Sequence, residues 1–216
     1  HTPIRRQRQM CIRDRDKGAK EFSCHPNEKI TEGLDGLRDR LATYYANGAK
    51  FCKWRAVITI EKNIPSEACI ESNMHALARY ASLCQENNLV PIVEPEVLIN
   101  GSHTIEQCDA ITRKSLKSLF KNLDILNVYL PGTVLKPSMV ISGQDNGSRA
   151  DNNTVANMTV DCLSDCVPEE TSGIAFLSGG QSDSEAEQHL NIMNKKNNLP
   201  WRVTFSYARA IQAAAL

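Results

Sequence analysis

The sequence predicts an α/β fold built on a parallel sheet, and three observations predict it. Short β-rich segments alternate with helix-patterned ones along most of the 216 residues. Several β-rich segments are nearly continuous apolar runs, the pattern of strands covered on both faces. The polar residues that interrupt them gather within or just after their C-terminal ends, at Glu94, Glu96, Lys136, Ser178 and Ser206.

The elements follow in order. Residues 1–15 carry five arginines and no periodicity. They read as a non-native or disordered basic leader, with the folded domain running over 16–216; a basic arm for an anionic partner is the other reading. Leu34, Leu37, Leu41 and Tyr45 recur at helical spacing, and Gly48 stops that helix. FCKWRAVITI (51–60) is β-rich. Ser66 opens a helix whose apolar stripe is Ile70, Met74, Leu77 and Ala81, and VPIVEPEVL (90–98) follows as a strand. Residues 104–121 repeat the helical period through Ile105, Cys108, Thr112, Leu116 and Leu119. VYLPGTVLK (128–136) reads as a strand, 154–166 as a helix, and GIAFLS (173–178) as a strand. Ser182 with Glu185 three residues on forms a capping box. RVTFSY (202–207) is the last strand, and 210–216 begins another helix.

A doubly wound sheet and a (β/α) barrel both fit this alternation. No G-x-G-x-x-G follows any strand, which weakens dinucleotide binding. Chemistry placed at the C-terminal ends of strands favours the barrel. Five strands fall short of the eight, and of the roughly 250 residues, that a closed barrel uses. The expectation is therefore an incomplete (β/α)8 TIM barrel.

Composition excludes several classes. The chain is 41% hydrophobic and 23% charged, an ordinary soluble balance. Twenty-five basic residues against twenty-five acidic ones leave no net pull toward nucleic acid or a membrane surface. No apolar run approaches the roughly 20 residues of a membrane span, and no secretory signal is visible, so a cytoplasmic location is expected. Eight cysteines have scattered spacings; Cys162 and Cys166 stand four apart with no partner pair. They read as small buried side chains in a reducing compartment. His25, His75, His103 and His189 lack ligand spacing and read as structural or surface residues. No metal and no cofactor are expected.

The candidate chemistry lies on the strands. Lys53 and Arg55, two apart, share one face of a strand otherwise made of buried types. Two cations there need anions. Glu94 and Glu96 repeat the spacing on the next strand and serve either as general acid and base or as counter-ions in a structural ion-pair cluster. Lys136 ends an apolar segment, where an amine held unprotonated can attack a carbonyl. LSGGQS (177–182) joins a strand to a helix and offers backbone N–H groups to a phosphate, or is simply a tight turn. Arg209 after the last strand can add a second phosphate contact or be a surface charge.

These segments, KWR (53–55), VPIVEPE (90–96), LKP-M (135–139), LSGGQS and TFSYARA (204–210), together resemble the successive signatures of class I fructose-bisphosphate aldolases, in the same order. GLDGLRDR (33–40), ALARYASLCQ (76–85) and PWRVTF (200–205) are similar too, and the resemblance runs from about Asp16 to the end. It implies reversible cleavage of fructose 1,6-bisphosphate to dihydroxyacetone phosphate and glyceraldehyde 3-phosphate. Lys136 would form the imine with the ketose. Lys53, Glu94 and Glu96 would handle protons, and Arg55 would bind substrate. Ser178, Gly179 and Arg209 would hold the C1 phosphate. The partners implied are a phosphorylated sugar and further copies of the chain, as a tetramer. Two departures stand out. Ala208 occupies a position where the family has glycine. The family's first strands, with a catalytic aspartate and lysine, are not found, so the five strands would be roughly the fourth to eighth of the barrel. On that reading the chain is a fragment, inactive alone.

Rival readings differ in class. LSGGQ also marks ABC-type ATPases, but the G-x-x-x-x-G-K-[ST] such a module needs does not occur. A non-catalytic binding piece is the other alternative.

Overall fold

The computed structural model describes residues 16–196 and 199–207. Among these residues seven strands and five α-helices follow in order, alternating from β2 onward: β1 (Ala19–Glu21), β2 (Lys29–Thr31), α1 (Leu37–Ala46), β3 (Phe51–Ile58), α2 (Glu67–Glu86), β4 (Val90–Val97), α3 (Ile105–Ile125), β5 (Val134–Leu135), α4 (Asn152–Cys166), β6 (Gly173–Phe176), α5 (Asp183–Asn194) and β7 (Val203–Phe205). Strands β3 to β7 form one five-stranded sheet in chain order, and all four of its pairings are parallel. The basic leader and the helix expected at 210–216 lie outside the described residues.

The sheet works because β3 and β4 are long and in full register, from Phe51 opposite Val90 to Ile58 opposite Val97. Alternation then sorts the side chains. Cys52, Trp54, Ala56 and Val93 are buried on one face against α2, where the Trp54 and Tyr80 rings lie 5.5 Å apart. Lys53, Arg55, Glu94 and Glu96 occupy the other face. Helix α2 buries Ile70, Met74, Leu77 and Ala81, the stripe expected from its period. Its N-cap Ser66 accepts from the Cys69 N–H at 3.1 Å. Helix α3 runs a turn longer than its pattern indicated, and Thr104 with Gln107 closes a capping box at its start. Asp151 caps α4 two residues earlier than the period placed it.

Three expectations are corrected. VYLPGTVLK is not one strand. Leu130–Gly132 forms a 3₁₀ turn, and only Val134–Leu135 pair. Pro131 has no N–H to give a ladder, and Tyr129 bonds the Gln85 side chain through both its N–H (2.9 Å) and its carbonyl (2.8 Å). Next, α1 starts after Gly36 (φ 64°), so Leu34 precedes the helix, and Tyr45 is exposed. Finally, the β1–β2 hairpin was not expected at all. It is antiparallel and docks on β3, where the Thr31 hydroxyl donates to the Arg55 carbonyl at 2.7 Å.

Cys52, Cys69, Cys84, Cys108, Cys162 and Cys166 are buried, while Cys24 is exposed. Desolvation lifts the Cys69 thiol to about 11. No helix among the described residues is long and apolar enough to cross a membrane.

Candidate active site

The functional side chains meet because the strand register places them side by side. Arg55 lies opposite Glu94 and Val57 opposite Glu96, so same-face residues of β3 and β4 interleave. The Lys136 N–H donates to the Val93 carbonyl at 2.8 Å, which carries the lysine next to Glu94. Its ammonium donates to Glu94 Oε1 at 2.8 Å. Lys53 Nζ donates to the other oxygen, Glu94 Oε2. One buried carboxylate, 3% exposed, thus bridges two lysines. Arg55 Nε donates to Glu96 Oε2. The Arg55 guanidinium is pulled down by desolvation, but its bond to Glu96 and the charges of Glu96, Glu94 and Asp16 outweigh that and hold it above its ordinary value.

This arrangement refines the sequence reading. Glu94 and Glu96 face cations rather than each other, so ion pairing governs both carboxylates. Lys136 is buried, at 8% exposure, against an anion and not beside a bare cation. Arg55 is more open than its apolar neighbours in the sequence implied, with 44% of its side chain exposed.

The glycine-rich turn sits at the same end of the sheet. The Leu177 N–H donates to the carbonyl of Pro137, the residue after Lys136, at 3.2 Å. The Ser206 N–H donates to the Phe176 carbonyl at 2.8 Å, so β6 and β7 end together. Gly179 and Gly180 take φ of 59° and 89°, and the Gln181 N–H closes the turn on the Ser178 carbonyl at 3.0 Å. A Cβ on Gly180 would meet Ile99 at 2.9 Å, which ties the turn to the loop after β4. Ser182 and Glu185 make the expected capping box of α5. Ser178 and Gly179 therefore stand at one mouth with Lys136; Arg209 and Ala208 lie outside the described residues.

Some participants left no signal in the sequence reading. Asp16 contributes charge to Arg55 from before the hairpin. Ser138 Oγ accepts from the Val97 N–H at 2.9 Å and fixes the end of β4 beside the residues after Lys136. The LKP-x-M spacing could have pointed to Ser138; nothing local could have paired Asp16 with Arg55. Among the described residues no cluster of His, Cys, Asp and Glu is arranged to hold a metal ion. A cleft of about 560 Å³ lined by Lys17, His75 and Arg79 is framed by β2, the turn after it and α2, away from Lys136.

A parallel α/β sheet whose strands end in a buried lysine–carboxylate–lysine cluster and a glycine-rich turn has the layout of a barrel-type enzyme. Comparison with known proteins narrows the class. Residues 6–216 match the family described as fructose-bisphosphate aldolase class-I. The chain is 57% identical over 201 residues to the probable fructose-bisphosphate aldolase class 1 of Xanthomonas axonopodis pv. citri, covering 93% of this chain and 60% of that one. It is 50% identical to the cytosolic fructose-bisphosphate aldolase 4 of Arabidopsis thaliana, covering 93% and 51%. The structure superposes with a TM-score of 0.91 and 46% identity on the Plasmodium falciparum fructose-bisphosphate aldolase solved with TRAP and a small-molecule inhibitor, covering 93% of this chain and 58% of that one. The chain belongs to the class I fructose-bisphosphate aldolase family, whose fold is the TIM barrel. It spans about 60% of the length of the bacterial relative.

Proposed function

We propose that the complete protein cleaves fructose 1,6-bisphosphate reversibly to dihydroxyacetone phosphate and glyceraldehyde 3-phosphate through an imine on Lys136. The observation that carries the reading is the single carboxylate of Glu94, bonded to Lys136 at 2.8 Å and also to Lys53. The family resemblance and the relatives' names supply the substrate.

The steps balance on these groups. Lys136 passes a proton to Glu94, and its free amine adds to the C2 carbonyl of the ketose. Protonation of the resulting hydroxyl expels water and leaves an iminium. The C4 hydroxyl proton passes to the aspartate that the family resemblance implies on an earlier strand of the complete protein, and the C3–C4 bond breaks. Glyceraldehyde 3-phosphate departs, and the electron pair is held as an enamine on Lys136. Protonation at C3 and hydrolysis release dihydroxyacetone phosphate and the lysine. Glu94, Lys53 and Glu96 are proposed to relay protons in dehydration and hydrolysis, and Arg55 to bind substrate beside Glu96. Ser178, Gly179 and Arg209 are proposed to hold the C1 phosphate.

In the complete protein β3 to β7 would be the fourth to eighth strands of a closed (β/α)8 barrel. The family resemblance supports a tetramer, and the cytosolic Arabidopsis relative supports a cytoplasmic location.

Borohydride reduction in the presence of substrate, followed by peptide mapping, tests the reading. A stable adduct on Lys136 is expected. An adduct on another lysine, with Lys136 unmodified, overturns it.

A further inference from the structure

His189 is a buried group that the proposed chemistry does not use. It lies on α5 and is 2% exposed. Its Nδ1 is 2.7 Å from Gln181 Oε1, and its Nε2 is 2.9 Å from Asn152 Oδ1 at the start of α4. Gln181, itself buried, donates its side-chain Nε2 to the Ser178 carbonyl at 2.9 Å and its backbone N–H to the same oxygen at 3.0 Å. The chain of contacts thus runs Asn152, His189, Gln181, Ser178.

We infer that His189 is a positioning residue that fixes the Ser178–Gly180 turn for anion binding by clamping Gln181 between α4 and the turn. The inference rests on the proposed phosphate role of that turn and goes beyond it.

Three observations support this. Helix α5 is capped by Ser182 and Glu185, so it does not need the Gln181 contact to start. The turn runs through two residues at positive φ, which have no side chains to hold themselves in place. Gln181 is therefore the side chain that fastens the turn from within the protein. The ring is also suited to its place. Desolvation lowers its affinity for a second proton, against the attraction of Glu185 and with the repulsion of Arg149. The Gln181 end of the contact is fixed by chemistry: its Nε2 is committed to the Ser178 carbonyl, so its Oε1 accepts and the ring donates through Nδ1.

Three variants of the complete protein separate the two contacts. Asparagine places its amide nitrogen near the Nδ1 position, and glutamine near Nε2. His189→Asn keeps the Gln181 bond, whereas His189→Gln and His189→Leu lose it. One such bond corresponds to about three- to tenfold in affinity. His189→Gln and His189→Leu should weaken inorganic phosphate binding, measured by calorimetry, by about that factor. They should raise KM for fructose 1,6-bisphosphate in parallel and leave kcat within about twofold. His189→Asn should stay near wild type in both. A clamp that is merely structural would lower the melting temperature of all three variants without this ordering. Unchanged phosphate affinity in all three, His189→Asn as weak as His189→Leu, or no phosphate binding by the wild type overturns the inference. If the wild type gives no borohydride adduct at Lys136, the aldolase reading fails. The phosphate titration, which needs no turnover, still decides the role of His189.

Discussion

The two faces of β3 and β4 differ in every respect except their backbone. One face carries Cys52, Trp54, Ala56 and Val93 into an apolar layer with α2 and α3. The other, inner where the apolar face is outer, carries Lys53, Arg55, Glu94 and Glu96 as paired charges, with Arg55 still open to solvent. The same eight-residue register serves both. A residue on the first face acts on stability, because burying apolar surface is what holds the helices down. A residue on the second is the one proposed to act on chemistry, since an ion pair taken out of water adds little net stability. Substitutions that trade these roles put the distinction to the test.

The largest effect is expected from Lys136→Met. In the complete protein, where aldolase activity is proposed, cleavage should fall below detection and borohydride trapping should vanish, while the urea midpoint shifts only slightly, since Lys53 still pairs Glu94. Retained cleavage would show that the inner face does not hold the nucleophile. Glu94→Gln comes next. A proton relay contributes roughly 10²–10⁴-fold, so kcat should drop by that range with little change in KM. A near-normal kcat would make the inner face a structural ion-pair cluster only.

On the outer face, Trp54→Ala should cost about 3–5 kcal/mol of unfolding free energy, read from urea denaturation, because Trp54 is fully buried against Tyr80. The folded fraction should still form the borohydride adduct. A variant that stays stable yet loses imine formation would erase the distinction between faces. Thr104→Ala removes one half of the α3 capping box and should cost about 1 kcal/mol, with kinetics unchanged.

The smallest effect concerns pH. Desolvation depresses both His103 and His189 below their ordinary 6.5. A depressed histidine stabilises the fold fully above its unfolded pKa, and that stability is lost as pH falls through the folded value. The urea midpoint should therefore decline below about pH 6.5. Substituting leucine for His103 should flatten that decline; an unchanged slope would place the acid sensitivity elsewhere.

Much of this was legible residue by residue. Apolar periods located α2, α3 and α4, and Ser182 with Glu185 announced the start of α5, because each of those signals is local. The segment around Pro131 was misread because Gln85, distant in sequence, captures the backbone that a strand would have used. The β1–β2 hairpin was missed because its strands are three residues each and too short to show a period.

By itself the sequence determined which side chains share a face, since period two in a strand needs no knowledge of neighbours. It therefore placed Lys53 with Arg55 and Glu94 with Glu96, and the resemblance joined Lys136, Ser178 and Gly179 to them. Only the tertiary structure decided who pairs with whom. Parallel register brings Glu94 between Lys53 and Lys136, and Glu96 to Arg55. It also carries His189 to Gln181 and Asn152. Such pairings depend on how strands align and helices dock across dozens of residues, and no local pattern encodes that alignment.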